Sequence, residues 1–434
     1  MGRSPVTSRL LPVGHYADAS LGNLLGENFM KYRWATFTAV FGAILGLAAA
    51  PAIAAPDEAL YVIGTPVRVA IAADGTAFLG NYGQGGGIFV VPAGAVRASR
   101  TISTGGHRAT GLALGPDGTL YVATADGTNQ DVVGVVPAGD TGIARSIPVS
   151  AGLHSLAAGP DGTVYVANPA GNTVSVIAPS GTAVDRAVKV GAGPAEVAVA
   201  EDGTAFVTNQ TAGTVSVIPA GADTVSKTIE LVSDTGTSEE PHGITAGPDG
   251  TVYVANIKSS DIAVIKPGAD TVSDRIFVEG GPQDVAIAQD GSLYVTSVLT
   301  QKLSVIRPDS ADVSGSLPTD GAPGHLEVAP DGSVIVLSPG TGAAGGSVVR
   351  FSAAALAEAS QGSTAATPPA SAAPAATRAG EAAAQPSSGS WNALPTVAGG
   401  VAAAVVGVAV WILVNARRRR AGLVAGAGQA GSGL

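Results

Sequence analysis

Gly159–Asn168 reads GPDGTVYVAN, and the same ten residues recur letter for letter at Gly247–Asn256. Looser copies, built on Asp-Gly-Thr/Ser and a β-prone run, follow Asp74, Asp117, Asp202, Asp290 and Asp331. The seven aspartates stand 43, 44, 41, 47, 41 and 41 residues apart. Self-similarity at this period marks a repeat architecture whose units lean on their neighbours. In the third unit a small-residue run, Ser155–Ala158, meets the turn Pro160-Asp161-Gly162. Two β-rich runs follow, Thr163–Ala167 and Asn172–Ile177, then a turn at Pro179–Gly181 and a more polar run, Ala183–Val190. Pro presets φ at a turn's second position, and Gly accepts the positive φ that closes a hairpin. Four strands per repeat of roughly 42 residues is one blade of a β-propeller.

Seven copies predict an all-β, seven-bladed propeller over residues 55–352. Four residues after each aspartate stand Phe78, Tyr121, Tyr165, Phe206, Tyr253, Tyr294 and Ile335, the expected packing layer between blades. The last repeat has three strands, at Leu326–Ala329, Ser333–Leu337 and Ser347–Phe351. The first is preceded by an orphan run, Leu60–Ile63. Pairing that run with the last blade would close the ring and leave no exposed edge.

Composition narrows the chemistry. With 434 residues, 60 Gly, 28 Pro and only 13 % charged residues, the chain suits short strands and tight turns. It has no Cys, which excludes disulfides, thiolate metal sites and a thiol nucleophile. A formal charge of −10 argues against a nucleic-acid partner. No Gly-x-Ser-x-Gly elbow or phosphate-binding loop is present. The propeller repeats hold no Trp, so a broad sugar-stacking platform is not expected.

The flanks speak of export. Residues 1–29 form an N-terminal extension of no clear periodicity, and translation starting at Met30 would omit it. From Met30 a basic segment leads into the apolar run Ala35–Ala50 and the small residues up to Ala54, the pattern of a signal peptide over 30–54. Residues 353–393, rich in Ala, Pro and Ser, read as an extended stalk. The apolar run Thr396–Val414 lies within an expected transmembrane helix, 394–416. Arg417–Arg420 then place the tail 417–434 in the cytoplasm. Leu394-Pro395-Thr396-Val397-Ala398 departs from the Leu-Pro-x-Thr-Gly of a cell-wall sorting signal, which favours a membrane anchor.

Candidate functional residues collect at one end of the repeats. In a propeller, the turns after first and third strands lie on one face, and the remaining loops on the other. The Asp-Gly and Pro turns are uniform, so length variation falls on the second face, where binding usually resides. From turn proline to next aspartate most blades take 23 to 25 residues, but Pro219 to Asp249 takes 30, including Glu239 and Glu240. His107, His154, His242 and His325 stand where inner strands begin, and Arg68, Glu196, Gln283 and Asp284 hold corresponding places in other blades. Convergence at the channel mouth would let imidazole and carboxylate act as acid and base. No organic cofactor is expected, and a divalent metal is the ion these groups would suit. Asp126, Asn129 and Asp131 offer oxygen atoms but lack the rest of a calcium loop.

The runs Tyr165-Val166-Ala167-Asn168, Phe206-Val207-Thr208-Asn209, Tyr253-Val254-Ala255-Asn256 and Tyr294-Val295-Thr296-Ser297 resemble the YVTN family of bacterial β-propeller repeats. The resemblance implies an exported or surface protein, most members having no defined activity. Related propellers include streptogramin lyases, lactonase-like hydrolases and quinoprotein dehydrogenases, none of whose complete site patterns is recognisable here. The expectation is a monomeric, membrane-anchored extracellular module that binds another protein or a cell-envelope component. The alternative is a metal-assisted lyase or lactonase-type enzyme with its site at the mouth.

Overall fold

The computed structural model describes residues 58–361, apart from 63, 84, 126–130, 150–151, 153–154, 233–238, 309 and 341–344. The expected signal peptide, transmembrane helix and cytoplasmic tail lie outside the described residues. Among the described residues, no helix is long and apolar enough to cross a membrane.

Among the described residues, twenty-eight strands form seven antiparallel four-stranded sheets. Blade 1 comprises β2 (Pro66–Ile71), β3 (Ala77–Asn81), β4 (Ile88–Val91) and β5 (Arg100–Ile102). Blades 2 to 6 repeat that order from their inner strands β6 (Arg108–Leu114), β10 (Leu156–Ala158), β14 (Pro194–Val199), β18 (Pro241–Ala246) and β22 (Pro282–Ile287) out to β25 (Gly315–Pro318). Blade 7 takes β26 (Leu326–Val328), β27 (Val334–Ser338) and β28 (Ser347–Phe351) from the C-terminal side and β1 (Glu58–Ala59) from the N-terminal side.

Each inner hairpin is built by its Asp-Gly turn. In all seven blades the aspartate Oδ1 accepts the backbone N–H two residues on, at 2.8–2.9 Å. The following glycine sits at φ between 79° and 86°, where a Cβ would be strained. Thr or Ser comes third because its hydroxyl can return to the same carboxylate, as Thr163 does to Asp161 at 2.8 Å. These bonds hold the carboxyls of Asp74, Asp117 and Asp161 below their ordinary range, the Thr backbone N–H being the largest cause.

Packing between blades follows the expected layer. Seven apolar clusters fill the seven interfaces, and each contains one of Phe78, Tyr121, Tyr165, Phe206, Tyr253, Tyr294 and Ile335. A second device ties successive blades at their rims. The first residue of four outer strands is basic and donates to a carbonyl of the next blade. Arg100 reaches Asp140 O (2.8 Å), Arg145 reaches Gly181 O (3.2 Å), Arg186 reaches Ala222 O (3.1 Å) and Lys227 reaches Gly268 O (2.9 Å).

Two expectations need correction. The closing strand is Glu58–Ala59, not Leu60–Ile63: Glu58 pairs with Arg350 and Ala59 with Val349. Leu60 extends the ladder by one bond to Val348 O (2.9 Å) and is buried between blades 7 and 1. Tyr61 has already left blade 7 and bridges Arg97 of blade 1, whose guanidinium lies 4.9 Å from its ring centroid. Burying Leu60 fixes the register, because a one-residue slip would turn it outward. Secondly, the stretch assigned to the stalk from 353 begins with a helix, α1 (Ala353–Ser360). Ser352 caps it by accepting from Ala355 N (3.2 Å), and Ala355, Leu356 and Ala359 pack into the cluster between blades 6 and 7. Gly315, at the start of β25, makes room for it, since a Cβ there would stand 1.9 Å from Ala359 O.

Candidate functional site at the channel mouth

Inner strands enter the channel through β-bulges. The ladder shifts at Pro66/Arg68, Ala109/Gly111, Pro194/Val197, Pro241/Ile244 and Pro282/Asp284. A bulge bends its strand and re-aims a side chain. Six residues before the turn aspartates stand Arg68, Gly111, Ser155, Glu196, Gly243, Asp284 and His325, so one repeat position supplies the charged layer.

That layer is closed by contacts across the ring. Arg68 of blade 1 donates through Nη2 to Glu196 Oε1 of blade 4 at 2.6 Å, with 12 % and 10 % of the two side chains exposed. Its Nε is fixed by Thr110 O (3.0 Å), and its Nη1 lies 3.5 Å from His325 Nδ1. His325 Nδ1 in turn meets Asp284 Oδ2 of blade 6 at 2.5 Å. Backbone N–H groups of Val285 and Leu326 hold the Asp284 carboxylate at 2.9 and 3.3 Å. Gly243 permits this approach, since a Cβ there would sit 2.3 Å from Asp284 Oδ1.

The two imidazoles are driven in opposite directions. Burial pushes His242 below its ordinary value, against the smaller pull of Glu196. At His325 burial also pushes downward, but the charge and hydrogen bond of Asp284 outweigh it, and the net shift is upward. His242 is thus the less basic ring and His325 the more basic one. With Nδ1 engaged by Asp284, Nε2 is the nitrogen through which His325 can exchange a proton with a guest. A cavity of about 350 Å³ lies above, lined by Arg68, Tyr82, Thr110, His242, Gln283 and His325 among others. Arg108 closes its rim, stacking 4.8 Å over the Tyr82 ring and donating to the phenol oxygen at 3.3 Å.

Of the sequence candidates, Glu196, His242, Gln283, Asp284 and His325 therefore converge, together with Arg68. His107 does not. It is exposed in the loop ahead of β6, and its carbonyl accepts from Thr104 Oγ1 at 2.5 Å. The chain enters β6 later than the histidine spacing implied, so Thr110 takes the mouth position. Glu239 is buried and Glu240 exposed, their carbonyls accepting from Lys258 N (3.1 Å) and Ile257 N (3.3 Å), and neither lines the mouth cavity. Asp131 is buried and accepts from Gly152 N (2.6 Å), a loop tie. His154, Asp126 and Asn129 lie outside the described residues. Among the described residues, no group of three or more His, Asp or Glu is placed to hold a metal ion.

One residue was missed. Four positions before each aspartate stand Ala70, Ala113, Ala157, Ala198, Thr245 and Ala286, but blade 7 has Glu327. Burial raises its carboxyl to about 7, His325 lowering it and Asp284 raising it further. Aligning the repeats column by column would have found it as a charge in an alanine layer.

No protein-family model and no curated protein sequence matches the chain. Solved structures do match in fold. Hydrazine synthase from Kuenenia stuttgartiensis aligns at TM-score 0.57 and 19 % identity, over 71 % of this chain and 99 % of that one. A streptogramin B lyase aligns at 0.56 and 15 %, over 68 % and 96 %. A catalytically inactive histidine-to-alanine variant of virginiamycin B lyase from Staphylococcus aureus, with quinupristin, aligns at 0.55 and 12 %, over 68 % and 98 %. At these identities the likeness is one of architecture: an all-β, seven-bladed propeller with virginiamycin B lyase-like structural neighbours.

Proposed function

We propose that the chain is a binding module that engages an extracellular protein or cell-envelope component through its loop face, tethered to the membrane by segment 394–416. The observation carrying this reading is where apolar surface is left in water. Of the five exposed large apolar side chains among the described residues, Tyr82 and Leu299 lie in loops joining second to third strands, and Val232 in a loop between blades. Phe277 ends β21 (Asp274–Phe277), which runs into another such loop, while Tyr61 stands at the ring closure. None lies in an Asp-Gly or Pro turn. Apolar side chains gathered on one face, beside a polar cavity, suit a partner that covers them. The test is quantitative binding of the full-length protein to isolated cell envelopes. Leu299→Asp with Phe277→Asp should weaken it at least tenfold, and Asp202→Asn on the turn face should not. Equal loss from both variants, or from neither, would overturn the reading.

His325, held by Asp284 beside the Arg68 guanidinium, favours a second reading: an acid–base enzyme acting on a lactone or macrocyclic ester. In that reading His325 exchanges the proton, and Arg68 stabilises charge developing on a carbonyl oxygen. Ring opening of a streptogramin-type lactone that is lost in His325→Ala would support it. An inert wild-type protein, metal-free and metal-supplemented, would remove it.

A further inference from the structure

Below the mouth the channel contains a second cavity, of about 390 Å³, walled by all seven inner strands. The two cavities share Arg68, Asp284 and His325, so those side chains form the partition between them. From the partition the lower cavity runs toward the Asp-Gly turns, bounded last by residues such as Ile71, Val199 and Ile287. Its wall differs from the mouth in kind. An inner strand pairs on one side only, so its unpaired backbone groups face the channel, and the side chains around the Glu327 level are alanine or threonine.

Into that wall blade 7 sends Glu327. Each of the other two carboxylates lining this cavity has a cationic partner, Glu196 in Arg68 and Asp284 in His325. The Glu327 backbone pairs with Ile335 in the β26–β27 ladder, but its carboxyl makes no ion pair or hydrogen bond among the described residues. The charged and titratable groups that line the same cavity are His325 on its own segment and Asp284 on β22, which both act on its carboxyl, with Arg68 on β2 and Glu196 on β14. The matching parts of β6 and β10 bring only small neutral residues. With the two pairs neutralised, one negative charge is left over once Glu327 ionises, in a space that admits several non-hydrogen atoms.

We propose that the lower channel is a binding socket, entered from the turn face, for the ammonium end of a small organic cation, with Glu327 as counter-ion. An ammonium group fits better than a metal ion because it needs one carboxylate and neighbouring carbonyl oxygens, and brings its own three donors. The rest of the cation would lie against unpaired backbone groups interspersed with alanine methyls on the way to the opening. Calcium would demand six or more oxygen ligands, several from carboxylates, and only one here is uncommitted.

The test is an NMR titration of the full-length protein with n-butylammonium, with n-butanol as the neutral control. Binding should saturate at one equivalent at pH 8. It should be about tenfold weaker at pH 6, following ionisation of a carboxyl near 7. Glu327→Gln should abolish it, and n-butanol should not compete. Leu299→Asp, on the other face, should bind as the wild type does, so this result is separable from the fate of the loop-face reading. No saturable binding at pH 8, binding that survives Glu327→Gln, or equal affinity for n-butanol would each overturn the proposal.

Discussion

Arg68 and Glu196 are 128 residues apart in the chain and 2.6 Å apart in the ring, bonded across the channel from blade 1 to blade 4. The bond spans opposite walls, so it fixes the channel's width at that level, and it forms part of the partition between two cavities of different chemistry. Removing one partner leaves a charge with little water, whereas removing both leaves an apolar space.

Glu196→Ala should therefore destabilise the propeller by about 3 kcal/mol. Arg68→Met combined with Glu196→Leu should recover most of that loss. Urea unfolding of Arg68→Met, Glu196→Leu and the double variant gives the coupling directly, and additive losses would show that the pair is not acting as one unit.

Asp284→Asn should lower the titration midpoint of His325. Burial already pushes this ring downward, and the charge of Asp284 is what lifts it above its ordinary 6.5. In the wild type this pairing stabilises the fold fully below the unfolded value and is lost as pH rises through the higher folded value. NMR titration of the imidazole C–H signals should show the variant midpoint below 6.5, and denaturation curves should show the pH dependence of the pairing reversed in sign.

Glu327 has the opposite effect on stability. It keeps its proton to about pH 7 when folded, against an ordinary 4.5, so the folded state binds more protons between those values. Stability falls as pH rises across that window. Glu327→Gln should match the wild type near pH 4. At pH 8 it should be more stable by on the order of 2 kcal/mol, allowing for channel water around a half-buried group. Denaturation curves at pH 4, 6 and 8 check both sign and window.

Ring closure is testable at single residues. Leu60→Ala, within the cluster between blades 7 and 1, should cost about 3 kcal/mol, and Leu356→Ala at the α1 seat should cost a similar amount. Deletion of residues 55–64 should lower the melting temperature of the whole propeller in one transition. An unchanged melting curve would mean that the three remaining strands of blade 7 hold the ring without β1.

The architecture was legible because its causes are local and repeated. Asp161-Gly162-Thr163 carries its own turn, since the carboxylate, the positive φ and the hydroxyl bond all lie within three residues. Tyr165 and its six counterparts sit at one place in the repeat, and every one was found in a blade interface. Helix α1 was hidden for the reverse reason. Ala-rich composition reads as linker, and only its seat against β25, vacated by Gly315, gives Leu356 something to be buried against.

The sequence by itself determined the number of blades, the turns, the packing layer and the end of the ring where polar residues gather. Each of these depends on residue types at fixed spacing along the chain. Tertiary structure alone decided that Arg68 meets Glu196, that Asp284 makes His325 basic, that His107 stays outside, and that burial outweighs His325 at the Glu327 carboxyl. Those outcomes depend on distances across a closed ring and on access to water, which seven similar repeats leave open until the circle is made.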